Sequence, residues 1–132
     1  MQVVAAILVY KNKILAFKRP FSNNKNLSLK YEFPGGKVKK NETCICAIRR
    51  EIKEELGINI KCFENYYETS FTYPEFTVNI KFYLSKVECL NFKLNAHTEY
   101  KALDIIELKT LDWLEADYQV ITHLEKHGYT CT

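Results

Sequence analysis

The residues best suited to chemistry in this chain are three glutamates, Glu51, Glu54 and Glu55, gathered in the run REIKEELGI. If that run is helical, each residue turns by about 100°, and the three carboxylates share one sector about 100° wide. Like charges at these spacings cost a helix about 0.2–0.5 kcal/mol per pair, and acids near a helix C-terminus also oppose its macrodipole. Something must favour them. A hard divalent cation does so directly, because Mg²⁺ and its relatives take oxygen ligands and cancel the repulsion. The competing reading is a solvated acidic face balanced by Arg49, Arg50 and Lys53. Charge and spacing alone leave both open.

Such acids need a helix, and the helix needs a sheet. Ile45, Ile48, Ile52 and Leu56 recur within a stripe about 80° wide, so the spacing predicts a helix over 43–56 that packs by this stripe and stops at Gly57. Ahead of it the sequence predicts strands over 2–10 and 14–18 joined by a turn at 11–13. A polar loop, SNNKNLSLK, and a short extended piece then lead into a turn at Pro34, Gly35 and Gly36. Behind the helix come two β-rich segments, INIKCFENYYETSFTY and FTVNIKFYLSKVE, which meet near Tyr73 and Pro74 as a hairpin. YKALDIIEL reads as a last strand and residues 114–126 as a closing helix. Strands mixed with two helices predict an α/β sandwich.

The 132 residues contain no repeat or linker, and a single domain spanning 1–132 is expected. Nineteen basic against sixteen acidic residues leave a net charge of +3, too mild to argue for a nucleic acid polymer or a membrane surface as partner. The five cysteines, Cys44, Cys46, Cys62, Cys89 and Cys131, show no paired metal spacing, which fits a reduced, cytoplasmic chain. The apolar start VVAAILVY is short and lacks a basic leader, so it reads as a strand rather than a signal peptide. GGKVKKNET lacks the spacing of a P-loop.

Gly36, Glu42, Arg50, Glu51, Ile52, Glu54, Glu55, Gly57 and Ile58 fit the pattern G-x5-E-x7-R-E-U-x-E-E-x-G-U, where U is a bulky aliphatic, without exception. The pattern resembles the Nudix box. An accidental match of its invariant positions at a given start is on the order of one in 10⁸ from average residue usage. KYEFPGGK, TYPEFTVNIKFYL and HTEYKALDIIELKTLDWLEADYQVI resemble, more loosely, the flanking segments of MutT-type nucleoside triphosphate pyrophosphohydrolases. The resemblance implies a Nudix-type α/β/α sandwich with a mixed β-sheet and Mg²⁺-dependent, or Mn²⁺-dependent, hydrolysis of a nucleotide to the monophosphate and pyrophosphate. A monomer or homodimer is expected.

It also implies roles for particular residues. Glu54 and Glu55 would be metal ligands, Glu51 a ligand or the general base, and Arg50 the residue that orients Glu51. Gly35 and Gly36 would let backbone carbonyls approach the metal, and Glu42 would act structurally. Glu99, after the LNAHT loop, would reach the metal centre, with His97 on the same loop. Phe33, among Glu32, Pro34 and Gly35, would line the base pocket, Arg19 would meet phosphate or sugar, and Asp117 would read the base edge. An aspartate departs from the amide expected at that last position: ionised, it offers only acceptors, and protonated, it gains a donor. Otherwise Asp117 stabilises a helix start. Two other functions remain open: hydrolysis of ADP-ribose or another nucleotide sugar, for which Pro74 is a weak pointer, and a catalytically silent nucleotide sensor, against which the intact acids argue.

Overall fold

The computed structural model describes residues 1–130 and carries a seven-stranded mixed sheet between two helices. Strand β1 (Gln2–Tyr10) lies at its centre and pairs parallel with β6 (Thr77–Lys86) and antiparallel with β2 (Lys13–Lys18) and β4 (Gly35–Lys37). β2 also pairs with β3 (Tyr31–Glu32) and β7 (Glu99–Leu103), and β5 (Glu64–Thr72) pairs with β6. The turn between β1 and β2 puts Lys11 and Asn12 at positive φ, 47° and 66°. That is the geometry whose twist suits a two-residue hairpin.

Each face of β1 has its own core. Val4, Ala6 and Leu8 pack with Ile48, Ile52 and Leu56 of helix α1 (Cys44–Leu56), whereas Ala5, Ile7 and Val9 pack with Val120, Ile121 and Leu124 of helix α2 (Tyr118–His127). Alternation at period two explains why the strand is apolar throughout. Each of the larger buried aliphatics among them, the valines, leucines and isoleucines, contributes about 1.5–3 kcal/mol by leaving water. The expected α/β/α sandwich is the one observed.

The limits of α1 agree closely with the expectation. Thr43 caps α1, its hydroxyl accepting from the Cys46 N–H at 3.1 Å, and Gly57 ends it at φ 70°. Elsewhere the boundaries move. The segment after Gly57 becomes a strand only at Glu64, and the last strand stops at Leu103. Residues Ile105–Thr110 form a 3₁₀ helix instead, because Asp104 and Glu107 close a reciprocal capping box that starts it. A second 3₁₀ turn, Glu115–Asp117, delays α2 until Tyr118.

Gly35 and Gly36 sit in strand β4, not in a turn. A Cβ on Gly35 would lie 2.0 Å from the Val4 carbonyl oxygen, and one on Gly36 would lie 2.5 Å from the Glu51 carboxyl carbon. These glycines are required by close packing, the first against β1 and the second against α1. Among the described residues, no helix is long and apolar enough to cross a membrane. Cys44, Cys46, Cys62 and Cys89 are free, and Cys131 lies outside the described residues.

Candidate active site

Helix α1 turns its acids towards β4. Glu55 is buried, 8% exposed, and burial, a hydrogen bond with Glu51 and the charges of Glu32 and Glu51 push its carboxyl up to about 9, against the pull of the Gly35 N–H. A buried acid crowded by other acids holds its proton until a cation replaces it. Glu51 lies directly beneath Gly36. Glu54 is more open, with 54% of its side chain exposed. The box acids thus form a graded set from solvent to interior.

Arg50 holds this face together. Its guanidinium donates to Glu42 at 2.8 and 3.0 Å, to Glu51 at 2.9 Å, to the Lys37 carbonyl at 3.0 Å, and to Glu54 at 3.3 Å. The fork geometry of arginine permits such shared contacts where lysine would not. Hydrogen bonds from Arg50, then from the Lys39 N–H, hold the Glu42 carboxyl down at about 2. Glu42 is therefore tied to Arg50 and to the Lys39 N–H.

A depressed carboxyl stabilises the fold above its unfolded value of about 4.3, and that contribution is lost as pH falls towards the folded value. Thermal melts should accordingly show the wild type losing stability relative to Glu42→Gln between about pH 4.3 and 2. Parallel melting curves across that window would show that the Arg50 bridge contributes nothing to acid stability.

A second set of polar groups lies at the far end of β2 and β3. Arg19 donates to Glu32 at 3.1 Å, and Glu32 also meets His97 Nε2 at 2.8 Å. His97 Nε2 lies 3.8 Å from Glu55 Oε1. Glu32, Glu55 and His97 offer ligand atoms that all lie within 4.8 Å of one another, so this group could hold a metal ion. His97 was thus brought to Glu32, a pairing across 65 residues for which the sequence holds no signal.

Phe33 is buried against Trp113, with ring centroids 4.8 Å apart, and its backbone N–H rather than its ring serves Asp117. Asp117 is itself buried, and burial, then the charge of Glu32, push its carboxyl well above the usual range, while Phe33 N–H and Arg19 pull it down. It stands at the start of α2 yet makes no side-chain capping bond. Its Oδ2 and Arg19 Nε are buried without a hydrogen-bond partner among the described residues.

Glu99 is not joined to the box. Its carboxylate accepts from the Tyr31 hydroxyl, which with Lys18 and Lys101 holds it below the ordinary carboxylate range. No hydrogen bond or ion pair among the described residues connects Glu99 with Glu51, Glu54 or Glu55. Tyr31 was not anticipated as its partner, since only the pairing of β2 with both β3 and β7 brings them together.

The family model described as NUDIX domain matches residues 1–124. An 8-oxo-dGTP diphosphatase of Buchnera aphidicola (subsp. Acyrthosiphon pisum) is 33% identical over 99 residues, which span 74% of this chain and 79% of that protein. A CTP pyrophosphohydrolase of Escherichia coli is 43% identical over 58 residues, 44% of this chain and 42% of that protein. Among solved structures, a MutT protein from Methanosarcina mazei superposes with a TM-score of 0.84 at 22% identity, covering 98% of this chain and 96% of that one.

Proposed function

The chain belongs to the NUDIX domain family and is a Nudix pyrophosphohydrolase, and on that premise we propose that it hydrolyses nucleoside triphosphates to the monophosphate and pyrophosphate with Mg²⁺ or Mn²⁺. Relatives named for 8-oxo-dGTP and for CTP support a triphosphate substrate while differing over the base. The observation that carries the reading is a run of six residues, Tyr31 to Gly36, that touches both halves of the site. Phe33 N–H meets Asp117, whose Oδ2 has no partner, while Gly35 N–H meets Glu55 and Gly36 lies over Glu51. Buried polar atoms left unpaired within a chain are uncommon and call for an explanation. A nucleotide base supplies one here.

The donor set fits a hard divalent cation: Glu51, Glu54 and Glu55 present carboxylate oxygens, and the crowding around Glu55 is relieved by positive charge. Held by these carboxylates, such a cation would supply neutralisation of phosphate charge and a lowered pKa for a nearby water. The protein groups divide the remaining work. Glu51, with one oxygen held by Arg50 at 2.9 Å, would accept the proton of the attacking water. Arg19, close enough to Asp117 for its charge to act on that carboxyl and held by Glu32 at 3.1 Å, would meet phosphate or sugar. Water adds to phosphorus, the bridging oxygen leaves with pyrophosphate or monophosphate, and the proton passes to Glu51. Glu99, bound to Tyr31, is assigned no part in that transfer.

The test is a screen of canonical, oxidised and methylated nucleoside triphosphates alongside ADP-ribose, with products identified. Monophosphate and pyrophosphate should form from triphosphates, and an excess of chelator should abolish turnover. Turnover of ADP-ribose alone, or tight nucleotide binding without turnover, would replace this reading with the nucleotide-sugar hydrolase or the sensor.

A further inference from the structure

We propose that His97 is a positioning residue that ties the nucleotide side of the site to the metal side, holding Glu32 by a hydrogen bond while spacing it from Glu55. The inference rests on the site being the nucleotide and metal site argued above.

His97 is placed by backbone rather than by chance. The Asn95 N–H donates to the Glu55 carbonyl at 3.0 Å, the Asn95 side chain donates to the Glu54 carbonyl at 3.0 Å, and the Thr98 N–H donates to the Lys18 carbonyl at 2.9 Å. The loop between them is therefore stitched to the end of α1 on one side and the end of β2 on the other. Its imidazole is fully buried and lies 5.4 Å from the Phe17 ring, centroid to centroid. That leaves Nε2 facing the two carboxylates, 2.8 Å from Glu32 and 3.8 Å from Glu55.

The tautomer follows from what surrounds the ring. Nδ1 is buried and has no hydrogen-bond partner among the described residues, and a buried N–H left unpaired costs more than a buried lone pair left unpaired. The proton therefore belongs on Nε2, where Glu32 accepts it. This decides between two uses of the three groups. A cation on Nε2 would force the proton onto Nδ1, and metal-bound histidines almost always have a partner for that second N–H. The geometry points to a hydrogen-bond clamp, with the cation left to the carboxylate oxygens of α1.

The consequence is a continuous chain of contacts. Arg19 holds one oxygen of Glu32, His97 holds the other, and Glu55 follows at 3.8 Å, then Glu51 and Arg50. Releasing Glu32 should loosen Arg19 towards substrate and let Glu32 and Glu55 rearrange, so one substitution should weaken both nucleotide and metal binding.

The experiment compares His97→Phe, which keeps a ring against Phe17 but has no donor, with His97→Gln, whose amide can reach the same acceptor. Mn²⁺ affinity is measured without nucleotide, and KM and kcat at saturating metal. His97→Phe should bind Mn²⁺ about 10–100-fold more weakly, as loss of a supporting partner does, and raise KM about tenfold with kcat largely kept. His97→Gln should restore both. If the Phe variant does not fold, His97→Asn, too short to reach Glu32, should show the same losses. Wild-type affinities in a folded Phe or Asn variant would reduce His97 to packing, and equal losses in Gln and Phe would remove the donor from the account. Imidazole nitrogen coupling in pulsed EPR of the Mn²⁺-loaded wild type would make His97 a ligand and overturn the clamp. The Mn²⁺ titration needs no substrate, so the clamp can fail while the wild type still cleaves nucleoside triphosphates, and the reverse.

Discussion

Glu55→Gln should lower kcat by about 10² or more and leave the metal-free protein folded, because the substitution imitates the resting state of this side chain and not its working state. Burial and the neighbouring Glu51 and Glu32 push the Glu55 carboxyl up to about 9, so at neutral pH it carries a proton. A protonated acid and an amide have the same shape and a similar donor and acceptor pair. Metal binding needs the carboxylate, and metal-assisted charge stabilisation is worth several kcal/mol, each 1.36 kcal/mol being tenfold in rate. The same premise fixes a second readout. Wild type should release about one proton per metal bound near pH 7, seen as a dependence of binding heat on the buffer, and Glu55→Gln about none.

The sign of the stability effect is fixed as well. A carboxyl raised from about 4.3 favours the folded state less and less as pH climbs from the unfolded value through the folded one, so the metal-free wild type should lose stability over that range relative to Glu55→Gln. Adding metal should reverse the order. A variant that keeps wild-type kcat, or a wild type that binds metal without releasing a proton, would remove Glu55 from the metal set.

What could be read beforehand and what could not follows from the range of the forces involved. The limits of α1 were legible because they are local: a threonine hydroxyl, a left-handed glycine and an apolar stripe each act within a turn or two. The acid face was legible for the same reason. Strand β4 was not, because Pro34-Gly35-Gly36 has the composition of a turn, and only the approach of Val4 and Glu51 makes those glycines a strand. DIIEL has the apolar pattern of a strand, and the Asp104–Glu107 box bent it into a 3₁₀ helix. His97 with Glu32 and Tyr31 with Glu99 are pairings across 65 and 68 residues, set by sheet order. Their chemistry was present in the sequence, but their partners were not.

Asp117 carries the last prediction. The carboxyl is buried, raised by that burial and by Glu32, and has one oxygen without a partner. Since Phe33 N–H already serves the group as a donor, a proton placed on Oδ2 would turn that oxygen from an acceptor into a donor available to a bound base. On this account Asp117 reads an acceptor on the base edge, such as a carbonyl oxygen or a ring nitrogen lone pair. Asparagine presents an NH₂ in the same place, so Asp117→Asn should keep the ranking of bases within about threefold, whereas Asp117→Leu should cost the preferred base about 10–100-fold in kcat/KM relative to the others, the price of a base atom buried unpaired. Neither change should disturb the start of α2, because Asp117 makes no capping bond to lose. The comparison is made with one purine, one pyrimidine and one oxidised guanine nucleoside triphosphate. If Asn shifts the ranking as far as Leu does, the group works as a carboxylate and reads a donor, such as an exocyclic amine. If all three substrates fall in proportion with Leu, Asp117 does not touch the base, and its unpaired oxygen needs another explanation.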